Sequence, residues 1–247
     1  MGKNGSCRGF ETRTELAATR RRGHLYGRRK GPRLSPRQQA LRIELLPRLR
    51  LKPETGYDPG SYFDTKVSDT WLEVGFGSGE HMLLQAGAHP HVGIIGAEPY
   101  EAGVAKTLSK LADDHNLLER VRIYQGDARD VIDALPADCL GRVFILFPDP
   151  WPKTRHHKRR FIQMEMLDRL AIVMKPGAEL RFASDDQGYV CWTLERFTAH
   201  PAFSWQAERA LDWSSRPHDW PQTRYEKKAL HGPPAYFSFF RRKPGIA

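Results

Sequence analysis

From residue 70 onward, short apolar runs alternate with longer segments whose apolar positions recur at helical spacing. The runs at 70–75, 92–97, 120–125, 142–147 and 178–183 are rich in Val, Ile, Leu and Phe and have the length of buried strands. Between and after them, 79–88, 100–115, 128–135, 158–174 and 187–199 read as helices, the fourth stopped by Lys175-Pro176-Gly177. Two later β segments, 203–209 and 236–242, have no long helix between them, so one late strand is expected to run antiparallel. Strict alternation implies an α/β fold with a mostly parallel, seven-stranded sheet and helices on both faces. Upstream, Pro36–Arg50 reads as a helix with Ser35 as N-cap and Pro36 in its first position, and residues 1–30 read as unstructured.

The first strand runs into Leu72-Glu73-Val74-Gly75-Phe76-Gly77-Ser78-Gly79. Glycines spaced one residue apart allow positive φ and let a ligand rest against bare backbone. The dinucleotide fingerprint spaces its glycines G-x-G-x-x-G, and the place of its last glycine is taken here by Glu80. The E-x-G-x-G-x-G form, with Glu73 two residues before Gly75, is that of S-adenosylmethionine (SAM) sites. Four successive strand ends then carry Glu73, Glu98, Asp127 and Asp149. In a parallel sheet these ends face one crevice, and Glu98 falls where a carboxylate accepts from a ribose. Each acid alone could equally be a helix N-cap. An acidic crevice suits a ribose and a sulfonium cation and disfavours a pyrophosphate, so SAM is the expected cofactor.

Charge adds a second theme. The net charge of the 247 residues is +10, yet residues 1–50 hold fourteen Lys/Arg against three Asp/Glu. The remainder is close to neutral, and such a basic arm is a footprint for polyphosphate, ordered on nucleic acid or solvated without it. Length allows one α/β core plus an extension. No apolar run approaches the roughly 18 residues that cross a bilayer, and the first thirty residues lack a signal-peptide core. Cys7, Cys139 and Cys191 lie far apart, suggesting neither a disulfide framework nor a zinc site, and a cytoplasmic location is expected.

The fourth strand runs into Phe147-Pro148-Asp149-Pro150-Trp151-Pro152-Lys153, followed by Arg155-His156-His157-Lys158-Arg159-Arg160-Phe161. Further on come Ala183-Ser184-Asp185 and Thr223-Arg224-Tyr225-Glu226-Lys227-Lys228. With the glycine loop, these stretches resemble the tRNA (guanine-N7-)-methyltransferase family from about Tyr26 to the C-terminus. Tyr225 and Ala229 stand where that family usually has phenylalanine and glycine.

The resemblance implies a Rossmann-like class I methyltransferase fold over residues 56–247, behind a partly disordered basic arm at 1–55. It implies methyl transfer from SAM to N7 of a variable-loop guanosine in tRNA, by a monomer or homodimer with no metal and no membrane. By the same resemblance Glu73, Gly75, Gly77, Glu98, Asp127 and Asp149 line the SAM site, and Lys153, Asp185, Thr223, Arg224, Tyr225 and Glu226 line the guanosine site. Asp149, the acid nearest the expected methyl position, is the catalytic candidate. Glu226 or Asp185 can accept from the guanine N1–H and amino group. The run Arg155, His156, His157, Lys158, Arg159, Arg160 is expected to meet RNA phosphates, because cations at a helix start are unfavourable without an external anion. Trp151 could stack on a base or pack inward.

Overall fold

The computed structural model describes residues 27, 29–223, 225–226 and 232–243. Five parallel strands, β1 (Asp69–Val74), β2 (Val92–Ala97), β3 (Val121–Tyr124), β4 (Leu140–Leu146) and β5 (Met174–Ser184), form most of one sheet. Two more, β6 (Phe203–Trp205) and β7 (Ala235–Arg241), complete the order β3-β2-β1-β4-β5-β7-β6. Strand β7 is antiparallel to both its neighbours, as the late strand pattern predicts. Strand order reverses between β1 and β4, which opens a crevice beyond their carboxyl ends.

Alternate residues enter opposite core layers, as the two-residue period of a strand requires. Leu72, Ile95, Val143 and Leu180 pack in one layer, and Trp71, Ile94 and Phe144 in the other. Helices α3 (Glu80–Ala88), α4 (Glu101–Leu111), α5 (His115–Arg120), α6 (Ala128–Ala134), α7 (Met164–Val173) and α8 (Gln187–Ala199) cover the two faces. No described helix is long and apolar enough to cross a membrane.

Four boundaries differ from the sequence pattern. The helix expected over 100–115 stops at Leu111, and Asp114 caps a separate α5 by accepting from the Leu117 N–H at 3.2 Å. The helix expected over 158–174 begins at Met164, preceded by a 3-10 turn over Thr154–Arg159. Lys175-Pro176-Gly177 lies inside β5, where the pairing with β4 jumps from Met174 to Glu179 and Gly177 takes φ +85°. The segment acts as a bulge and does not terminate the helix. The strand expected over 203–209 ends at Trp205.

The basic N-terminal segment divides. Residues 1–26, expected to be unstructured, lie outside the described residues. Ser35 caps α1 (Pro36–Glu44) in a capping box with Gln38, and α2 (Leu46–Leu49) follows with Pro47 near its start. Leu45, Leu46, Leu49 and Leu51 are buried, and the Leu51 N–H donates to the Ile123 carbonyl at 2.9 Å. Residues 36–51 belong to the arm by charge and to the core by packing.

Candidate active site

The crevice is built from the glycine loop outward. Gly75 and Gly77 take φ +72° and +57°, and a Cβ placed on either would meet nothing within 4 Å, so open space lies against bare backbone. Gly79 differs: a Cβ there would strike Thr107, so this glycine serves helix packing. Glu98 clasps the loop, its two oxygens accepting from the Gly77 and Tyr100 N–H groups at 2.8 Å each. Burial pushes the Glu98 carboxyl up, the two N–H donors pull it down, and the charges of Asp149 and Glu73 push it up again. Glu73, Glu98 and Asp149 therefore share one electrostatic neighbourhood.

Asp149 sits in a strained turn. Phe147 and Trp151, neither of them glycine, take φ +50° and +45° on either side of Pro148-Asp149-Pro150. The prolines restrict the turn further, and the Phe147 N–H is held by the Ala183 carbonyl of the neighbouring strand end. Asp149 is open to solvent at the crevice mouth, while desolvation by the surrounding chain raises its carboxyl. Gly27 passes beside it, since a Cβ there would lie 3.6 Å from the Asp149 carboxylate.

A second neighbourhood opens on the other side of Asp149. The Tyr225 ring lies 5.3 Å from that of Phe147. Its phenol is raised by burial first, then by the charges of Asp185, Asp149 and Asp186. Asp185 is buried at the end of β5. Asp149 thus lies within electrostatic reach of both Glu98 and Tyr225.

The remaining sequence candidates divide. Asp127 caps α6, accepting from the Arg129 N–H at 3.0 Å and pairing with the Arg129 guanidinium at 3.0 Å, so the N-cap reading describes its contacts. Glu226 is taken up by its own chain: it accepts from the Thr223 N–H at 3.2 Å and the Tyr236 hydroxyl, and meets Arg216 at 3.3 Å. With its side chain 7% exposed, Glu226 braces the segment. Arg224 lies outside the described residues.

Arg160 differs from the rest of the basic run. Its guanidinium points inward, donating to the Pro150 carbonyl at 2.8 Å and the Gly188 carbonyl at 3.2 Å, over the rings of Tyr189 and Trp192. It anchors the Asp149 turn to α8 and is buried, unlike the exposed cations of the run. Lys153, Arg155 and Lys158 are exposed. Arg159 lies over Trp151, which is half-buried and edge-on to His156. The Trp151 ring is therefore lodged within the basic cluster. Slight desolvation and the nearby cations push His156 down, so it adds little charge at neutral pH. His157 packs edge-on against Trp192. Arg160→Met should lower stability by about 2–3 kcal/mol, since it strips donors from two carbonyls. The melting temperature should fall accordingly.

Sequence reasoning missed a row of buried charges on one sheet face. Glu73 pairs in register with Phe144, and Phe144 with Arg181, whose guanidinium reaches Asp219 at 2.6 Å. Gln85 of α3 donates to the Asp219 carbonyl at 2.8 Å. This row ties the segment leading to Thr223–Glu226 down beside the crevice. The available signal was charge inside otherwise apolar strands, as in Leu72-Glu73-Val74 and Leu180-Arg181-Phe182. Among the described residues no cluster of three His, Cys, Asp or Glu suits a metal.

A family model described as "Putative methyltransferase" matches residues 68–237. The tRNA (guanine-N(7)-)-methyltransferase of Rhodospirillum rubrum is 50% identical over 230 residues, covering 90% of this chain and 89% of the relative. The enzyme of the same name from Caulobacter vibrioides is 48% identical over 217 residues, covering 87% and 94%. Among solved structures, the 16S rRNA methyltransferase KamB superposes with a TM-score of 0.56 at 15% identity, covering 77% of this chain and 95% of that one. A variant of the 16S rRNA (adenine(1408)-N(1))-methyltransferase from Catenulisporales acidiphilia, solved with SAM, gives 0.51 at 16% identity, covering 73% and 89%. These structures share the fold, and the relatives align over both the glycine-loop and basic-turn halves of the domain. The chain belongs to the tRNA (guanine-N(7)-)-methyltransferase family.

Proposed function

We propose that this protein methylates N7 of a guanosine in the variable loop of tRNA, using SAM and giving 7-methylguanosine. The observation that carries the reading is the place of Asp149, within electrostatic reach both of Glu98, which clasps the glycine loop, and of Tyr225, which Asp185 also influences. A group transferred between ligands in those two places would pass this carboxylate.

The crevice fits the cofactor. Open backbone at Gly75 and Gly77 admits a ligand closely, and Glu98 retains acceptor capacity beyond its two loop contacts. Lys110, which lies by the loop, is spent on Glu80 and the Ser78 carbonyl and is not offered to a phosphate there. Glu73, Glu98 and Asp149 would hold SAM, which supplies the electrophilic methyl group. Guanine N7 carries an in-plane lone pair and needs no general base. Asp149 therefore acts as a fixed negative charge that follows positive charge from cofactor to purine. Asp185 accepts from the guanine edge, the packed Tyr225–Phe147 pair offers the base one aromatic surface, and Lys153, Arg155 and Lys158 take phosphates.

Incubation with labelled SAM and bulk tRNA, followed by nucleoside analysis, tests the reading: label should appear in 7-methylguanosine. Label in protein, a small molecule or another nucleoside would overturn it.

Glu98→Ala should weaken SAM binding about tenfold or more in calorimetry, because hydrogen bonds to a charged acceptor are worth roughly 1.5–3 kcal/mol each. SAM affinity should also fall on acidification. Glu98 and Asp149 are both raised from their ordinary values, so protonation removes their charge at a higher pH than for a free carboxylate. Affinity independent of pH down to the ordinary carboxylate range would contradict this.

A further inference from the structure

Helix α3 leaves the glycine loop and buries a histidine in its first turn. His81 is 3% exposed, and its Nδ1 lies 2.6 Å from Oε2 of the equally buried Glu73 at the end of β1. Its ring stands edge-on to Phe144 of the neighbouring strand, 4.6 Å between centroids. The other ring nitrogen, Nε2, is buried with no hydrogen-bond partner among the described residues. The polarity of this side chain is therefore spent on a single carboxylate.

An ionised carboxylate only accepts, so the hydrogen of the contact belongs to Nδ1. Taking an imidazole and a carboxylate out of water is costly, and apolar residues of similar volume generally hold such a position as well or better. The pair is thus a poor stability device. It is well suited to holding one negative charge still: Glu73 cannot turn without breaking the contact, and its field reaches Glu98, which clasps Gly77. We propose that His81 is a positioning residue, fixing the Glu73 carboxylate beneath the glycine loop so that the cationic cofactor meets a preset negative charge. The proposal rests on the reading of this crevice as the SAM site.

Three variants separate the possibilities, each measured for melting temperature and for SAM affinity by calorimetry. Glu73→Gln should weaken SAM binding at least tenfold. His81→Phe keeps the ring shape and loses the donor, and should weaken SAM binding by a similar factor. His81→Asn places an amide nitrogen near the position of Nδ1 and should stay within threefold of wild type. If Glu73→Gln binds SAM normally, Glu73 is not in the cofactor site and the reading of the crevice fails. If Glu73→Gln is impaired while folded His81→Phe is not, or if His81→Asn is as weak as His81→Phe, the positioning role alone is overturned. Wild-type protein gives an arm independent of folding. The imidazole nitrogen resonances of His81 should show a protonated Nδ1 and shift on addition of SAM. A His81 spectrum indifferent to saturating SAM would refute the proposal.

Discussion

Asp149→Asn is expected to lower kcat by about 10²–10³, the usual loss when one preorganised electrostatic group is removed. Its tRNA affinity should change little, because in the proposed role the charge that Asp149 would stabilise develops only in transit. The residue caps no helix, and its turn is held by the Phe147 N–H, two prolines and Arg160, none of which depends on the carboxylate. The variant should therefore melt close to wild type. Acidification should remove the wild-type rate as the raised Asp149 carboxyl takes up its proton, and the rate should be level above that limb, since N7 needs no deprotonation. Single-turnover methylation with prebound tRNA separates the two outcomes. A folded Asp149→Asn protein with near-normal turnover would leave Asp149 a binding group only.

The second large effect concerns the exposed cations. Lys153, Arg155 and Lys158 converted together to Glu should raise the KM for tRNA on the order of 10²-fold at moderate salt. The log–log salt slope should become shallower by about 2–3, at roughly 0.7–0.9 for each lost phosphate contact. SAM affinity should hold, because these exposed side chains lie on the 3-10 turn and its N-cap, and the charges that act on Glu98 are those of Asp149 and Glu73. A loss of SAM affinity at an unchanged salt slope would make the cluster structural. Arg160 is excluded from this set by its inward hydrogen bonds, although in sequence it is indistinguishable from Arg159.

That contrast shows where reading by residue type stops. The glycine loop and Glu98 were legible because their constraints are local: spaced glycines after a strand, then an acid one β-α-β unit later. The family was legible from the Phe147–Phe161 stretch, whose composition no ordinary loop requires. Asp127 and Glu226 were legible as acids near the crevice, but their partners decide their work, Arg129 in one case and Arg216, Thr223 and Tyr236 in the other. His81 carried no signal, since a lone histidine on an apolar helix face is ordinary in a core.

By itself, the sequence determined the alternation of strands and helices, the antiparallel end of the sheet, the acidic glycine-loop crevice and the basic surplus. Each follows from period, spacing or count along the chain, quantities that survive without contacts. Tertiary structure decided which charges face outward and which are consumed. Arg160 turns in upon backbone carbonyls, Arg181 reaches Asp219 thirty-eight residues away, and Leu45–Leu51 bury part of a segment that charge alone assigns to the arm. The reason is desolvation: a charge is tolerated inside only where distant chain supplies its partner, and that partner is chosen by the fold.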